Sequence, residues 1–115
     1  MSDEDSDLRQ RRLSRNQVLF REVNERVERA SRAFGADASA SFVCECSRTD
    51  CAAQIELTHE EYETVRSVPT RFVISPGHEI PDIEDVVART ERYTVVEKIH
   101  AGGRVAMATD PRRGR

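Results

Sequence analysis

Three cysteines stand within eight residues, in the stretch FVCECSRTDC at 42–51, and the 115-residue chain has no others. That crowding constrains the fold more than any other feature. Cys44 and Cys46 are two apart, which on an extended strand puts both thiols on one face. The four residues SRTD then let the chain turn back before Cys51, a gap at the long end of zinc-ligand spacing. An odd, clustered set of thiols in a reducing compartment reads as a metal site before it reads as a disulfide. Three thiolates leave a tetrahedron one ligand short, and the three histidines are candidates for the fourth. His78 follows a short strand and a Pro-Gly turn in VISPGHE, so it would sit on a rigid corner. His59 opens a helix and is expected to face water, and His100 falls in an expected hairpin turn. His78 is the best placed, with His59, His100 or a water as alternatives. Three Cys and one His make a closed structural zinc site. An iron–sulfur cluster usually takes a fourth Cys, and CxC lacks the CxxC spacing of thiol oxidoreductases.

A staple suits this composition. The chain is 37% hydrophobic and 34% charged and has no Trp, so its core is small, and a domain of this size is marginal without help. No apolar run approaches the ~20 residues that span a bilayer. The start, MSDEDSDLRQRRL, puts acid before base and has no apolar h-region. A cytoplasmic, non-membrane protein is expected.

The clearest helix signal is amphipathic and covers 14–35. Ser14 can cap its start, and Gly35 stands where a left-handed C-terminal residue is expected. Leu13, Phe20, Val27 and Phe34 recur every seven residues, Val23 and Ala30 fill the second seam position, and Leu19 widens the stripe. Seven residues fall ~20° short of two turns, so these side chains share one face. The stripe either packs on the chain's own sheet or meets a helix of another copy or another protein. Residues 1–13 are expected as a disordered leader, acidic then basic, and 110–115 as a basic disordered tail.

Residues 42–109 should form a zinc-stapled α+β domain. SFVCE and AQIEL flank the cysteines as hairpin arms. LTHEEYETVRSVP reads as a helix with Thr58 and Glu61 in a capping box and Leu57 and Tyr62 as a hydrophobic staple; Pro69 ends it. RFVIS reads as a strand closed by the Pro76–Gly77 turn. DIEDVVART reads as a short helix capped by Asp82. RYTVVEKI and RVAMAT read as strands joined through Gly102–Gly103. The expected class is α+β: a long N-terminal helix, then a small antiparallel sheet with two short helices.

Catalytic signatures are lacking. HEEYE at 59–63 departs from HExxH at its fifth position, Glu63, and no GxGxxG, P-loop or GxSxG occurs; no enzymatic activity is expected. Charge is uneven, with +5 over residues 8–34 and −7 over residues 35–100. Glu22–Arg26, Glu25–Arg29 and Glu28–Arg32 can pair at i,i+4, leaving Arg9, Arg11, Arg12, Arg15 and Arg21. The expected role is a regulatory or adaptor module that docks a protein partner, or a second copy, through helix 14–34, with Leu19, Phe20, Val23 and Val27 in contact. One alternative is nucleic-acid binding, with Arg11, Arg12 and Arg15 on phosphates. The net charge of −3 and 5% aromatic content weigh against it. Another is a thiol-based redox or metal sensor.

NQVLFREVNERVE, FVCECSRTDC, ELTHEEYETVR, PTRFVISPGHE and RYTVVEKI together cover most of residues 16–99. In this combination the chain resembles a family of short, uncharacterised bacterial proteins of actinobacterial type, with a CxCx4C…PGH zinc-site pattern. The resemblance implies that Cys44, Cys46, Cys51 and His78 form one metal set. It carries no activity with it.

Overall fold

In the computed structural model, which describes residues 3–35, 37–46, 48 and 50–112, helix α1 spans Asp3–Ser31. It begins well before Ser14, so residues 3–13 of the expected leader are helical; Met1, Ser2 and residues 113–115 lie outside the described residues. A 3-10 turn at Arg32–Phe34 and Gly35, at φ 97°, close it. A positive φ favours glycine there.

The domain grips α1 by its polar face. Gln17, Arg21, Asn24 and Glu28 recur at helical spacing and are fully buried. Each brings partners. Asn24 pairs with both backbone groups of Val43, donating to its carbonyl and accepting from its amide at 2.8 Å each. The Gln17 amide donates to Glu84 at 3.1 Å. The expected apolar stripe lies to one side. Val27 packs on the edge of the core and Leu13 and Phe20 are half-buried, whereas Leu19, Val23, Ala30 and Phe34 are exposed.

Strands β1 (Ser39–Val43) and β2 (Gln54–Thr58) form the expected antiparallel hairpin, with Phe42 opposite Ile55. Helix α2 (His59–Arg66) opens on the capping box: the Glu61 amide donates to Thr58 Oγ1 at 3.0 Å and the Thr58 amide to Glu61 Oε1 at 2.9 Å. Such a cap is worth about 1 kcal/mol. Leu57 and Tyr62, the staple pair, are both buried, and Tyr62 stacks on Phe42 at 4.6 Å between ring centres. A second antiparallel sheet orders β3 (Arg71–Ile74), β5 (Thr94–Lys98) and β4 (Glu84–Arg89), with β5 central. Phe72, Ile74 and Val96 are buried on one of its faces and Val73 on the other, so β3 is covered on both sides.

Two elements differ from expectation. DIEDVVART is strand β4, not a helix: Val86 pairs with Val96, and Glu84 meets the buried Lys98 ammonium at 3.0 Å. Pairing with the central strand overrides the local cap signal at Asp82. RVAMAT lies in helix α3 (His100–Ala108), not in a strand. Gly103 is no hairpin turn. A Cβ there would stand 3.0 Å from the Lys98 carbonyl oxygen, so glycine lets α3 start hard against the end of β5.

The tail is also drawn in. Arg112 pairs with Glu63 at 2.7 Å and Glu25 at 2.9 Å, and Arg66, itself paired with Glu25 at 2.7 Å, holds Asp110. Hydrogen bonds from Arg112 hold the Glu63 carboxyl below its usual range. Burial would raise Glu25 and Asp110, but Arg112 and Arg66 outweigh it and lower both. Depressed native pKa values mean the unfolded chain binds more protons in acid, so this stability is complete above the unfolded values and is lost as pH falls. The urea midpoint of the wild type should therefore drop on acidification below about pH 4.5, and Arg112→Met should drop less. Equal pH dependence in the two proteins would contradict this role.

Candidate metal centre

The ligand set is built by three short devices. Beyond β1 the chain stays extended through residues 44–46. The Cys44 amide donates to the Ala53 carbonyl at 3.0 Å and the Glu45 amide to the Val73 carbonyl at 2.8 Å. This segment thus joins the β1–β2 hairpin to the three-stranded sheet. Alternation sends Cys44 and Cys46 one way and Glu45 the other. The chain then turns, with the Cys51 amide on the Arg48 carbonyl at 3.2 Å; Ser47 and Thr49 lie outside the described residues. His78 ends the turn Ser75-Pro76-Gly77-His78. Its amide donates to the Ser75 carbonyl at 3.1 Å, and Gly77 takes φ 86°. Proline followed by a positive-φ glycine is the type II arrangement, which fixes where the imidazole points.

Cys44, Cys46, Cys51 and His78 come together, with their ligand atoms all within 4.8 Å of one another. Cys44 and Cys46 are buried, Cys51 and His78 half-buried, and no disulfide links the thiols. The His78 Nδ1 atom stands 3.5 Å from Cys44 Sγ and 3.7 Å from Cys51 Sγ. Sulfur at about 2.3 Å and nitrogen at about 2.0 Å from a tetrahedral ion stand about 3.5 Å apart. The described geometry therefore fits a tetrahedral ion with four protein ligands.

Within the cluster, Cys44 takes thiolate character. A hydrogen bond from Cys46 pulls the Cys44 thiol down to about 4, with help from Ser75, whose amide donates to Cys44 Sγ at 3.1 Å, and against burial. Cys46, sharing its proton with Cys44 and buried beside it, is pushed up. A bound dication would displace the remaining protons, so affinity must fall in acid.

Glu45 is the residue that spacing alone did not single out. Its carboxylate is fully buried and accepts from Asn24 at 2.8 Å, the Val73 amide at 3.0 Å and the Tyr62 hydroxyl at 3.3 Å. Burial pushes its pKa up, against these donors and the nearby Arg21 and Arg66. It positions both cysteines by tying the segment between them to α1, α2 and β3. The alternation CEC carries the only signal: a charged residue facing away from two ligands must face the core.

The other candidates separate clearly. His59 does not face water: it is largely buried, 3.3 Å from Glu28 and apart from the cysteines. The His100 side chain lies outside the described residues. Glu28, His59 and Glu63 form a second close group. There Arg32 bonds both oxygens of Glu28, at 2.7 and 3.0 Å, and Arg112 both of Glu63, at 2.7 and 2.8 Å. Those carboxylates already hold their counter-charges.

The charged residues of α1 divide. Glu28–Arg32 pairs as expected, while Glu25 turns to Arg66 and Arg112 instead of Arg29. Arg9 pairs with Asp82 at 3.0 Å, and Arg21 is buried, so neither is a free contact residue. Arg11, Arg12 and Arg15 are exposed. Leu19 and Val23 are exposed, whereas Phe20 is half-buried and Val27 packs against the core. Among the described residues no helix is long and apolar enough to cross a membrane. No protein-family model matches the chain, and neither does any curated protein or solved structure.

Proposed function

We propose that this chain is a non-enzymatic interaction module, stapled by structural zinc, that acts in the cytoplasm as a regulatory or adaptor protein. Zinc suits three thiolates and an imidazole. With −3 from the thiolates and +2 from zinc, the site carries about −1 and has no vacancy for water. That is a clamp and a poor Lewis acid. The observation that carries the docking role is the orientation of α1: its polar face is spent on the domain, and Leu19 and Val23 are left outward. Fully burying an exposed side chain of this type is worth about 1.5–3 kcal/mol, and Leu19 and Val23, at 61% and 41% exposed, have roughly half of that still to gain. Phosphate contact by Arg11, Arg12 and Arg15 is the weaker reading, since nucleic acid would leave that apolar surface wet.

The double variant Leu19→Asp, Val23→Asp should keep its metal and its circular dichroism spectrum. It should lose the proteins that co-purify with the wild type from native lysate. An unchanged set of co-purifying proteins would count against α1 as the docking surface.

A further inference from the structure

Resting on that docking reading, we propose that the outward face of α1 takes an acidic amphipathic segment of another protein, and not a second copy of this chain. Folding sorts the helix's charges. Glu25 and Glu28 turn inward, to Arg66 and Arg112 and to Arg32. Glu22 is then the only exposed acid among residues 8–34. At about 100° per residue, Leu8, Leu19, Val23 and Ala30 fall within one sector of the helix, and Arg12, Arg15 and Arg26 fall among them. All seven are exposed, Leu8 at 62% and Leu19 at 61%. Among the described residues no carboxylate pairs with Arg12, Arg15 or Arg26.

At the C-terminal end of α1 this face runs into a shallow apolar groove of about 290 Å³ lined by Val27, Ala30, Phe34 and Ala40. Phe34 is 78% exposed at its rim. The complement is a segment with apolar side chains at helical spacing and carboxylates interspersed among them, before and after the residues that meet Leu19 and Val23. Such pairing steers encounter and selects the partner.

A second copy does not supply it. An antiparallel pair centred on Leu19 sets Arg12 of one chain against Arg26 of the other, and a parallel pair sets each arginine against itself. Like charges so placed reject the wrong partner. The acidic body of another copy matches the charge but not the apolar surface. Beyond α1 and Phe34, the large exposed apolar side chains among the described residues are two isolated ones, Val87, whose groove holds Arg71 beside Glu61, and Met107, whose groove holds Arg104 and Arg112 beside Asp110.

The test is a selection from a phage-displayed library of random peptides about 20 residues long, about 30 Å as a helix, panned on the immobilised metal-loaded protein. Peptides that also bind Leu19→Asp, Val23→Asp are removed. The expected winners carry apolar residues at helical spacing and net negative charge. A synthetic winner should lose at least ~10-fold affinity for the triple variant Arg12→Glu, Arg15→Glu, Arg26→Glu, which should itself select basic peptides. Winners that are neutral or basic yet need Leu19 and Val23 would overturn the acidic partner and leave the docking reading standing. No winner that needs those residues would bring down both. A wild-type dimer in sedimentation that Leu19→Asp dissolves would put a second copy on the face and overturn the proposal. So would tighter binding to phosphatidylserine vesicles or duplex DNA, lost in the same variants.

Discussion

Stripping the metal from the folded protein should unfold it. The four ligands come from the segment that follows β1, the turn that leads on towards β2 and the turn after β3, and the segment at 44–46 is where the hairpin meets the three-stranded sheet. An ion held by all four would tie the two half-buried residues, Cys51 and His78, to the two buried ones, and its removal would cut that tie. The unfolded chain has no such site, so binding energy becomes folding energy, on the order of 10 kcal/mol or more. A domain's whole net stability is about 5–15 kcal/mol. A strong chelator should therefore collapse the amide dispersion in a 1H–15N spectrum, and added zinc should restore it. His78→Ala should lower metal affinity by orders of magnitude, while His59→Ala, which loses only a contact to Glu28, should retain the metal. Full dispersion after complete removal of the ion would show that the hydrophobic core suffices alone.

The second large effect is expected at Arg21. Its side chain is 0% exposed, with the guanidinium 4.6 Å above the Phe72 ring. It donates to the Pro69 carbonyl at 2.7 Å and the Ala106 carbonyl at 2.8 Å. Burial and the nearby Arg66 both lower its pKa, while Glu45 and Asp110 favour the charge. Arg21 thus fastens α1 to the loop before β3 and to α3. Arg21→Ala would take a donor from the buried Ala106 carbonyl and from the part-buried Pro69 carbonyl and open a cavity, at a cost of about 3–5 kcal/mol. Arg21→Met keeps most of the volume and should lose less. Urea denaturation of the metal-loaded proteins measures both. A change within about 1 kcal/mol for Arg21→Ala would mean that α1 is fastened elsewhere.

That residue also shows why part of this fold was hidden in the sequence. The cluster of three cysteines and a histidine was legible because metal chemistry works through residue type and spacing, and the PGH turn marked His78 among three histidines. α2 was legible because its capping box is local. The seam of α1 was misleading: apolar periodicity finds the greasiest face, but the domain binds the face that carries Gln17, Arg21, Asn24 and Glu28. Gln17, Arg21 and Asn24 are tolerable there only because their partners come from far along the chain, at Glu84, Pro69, Ala106 and Val43. No window of sequence contains both ends of such a bond. The same holds for β4, whose Asp82 cap signal lost to pairing with β5, and for Gly103, whose meaning is a close approach to Lys98 and not a turn.

The central claim is that one ion held by Cys44, Cys46, Cys51 and His78 joins the two sheets. Native mass spectrometry of protein purified without chelator tests it most directly. The mass of the folded chain should exceed that of the denatured chain by one zinc, and Cys44→Ser should lose that increment together with the folded charge-state envelope. A folded wild-type chain at its bare polypeptide mass would contradict it.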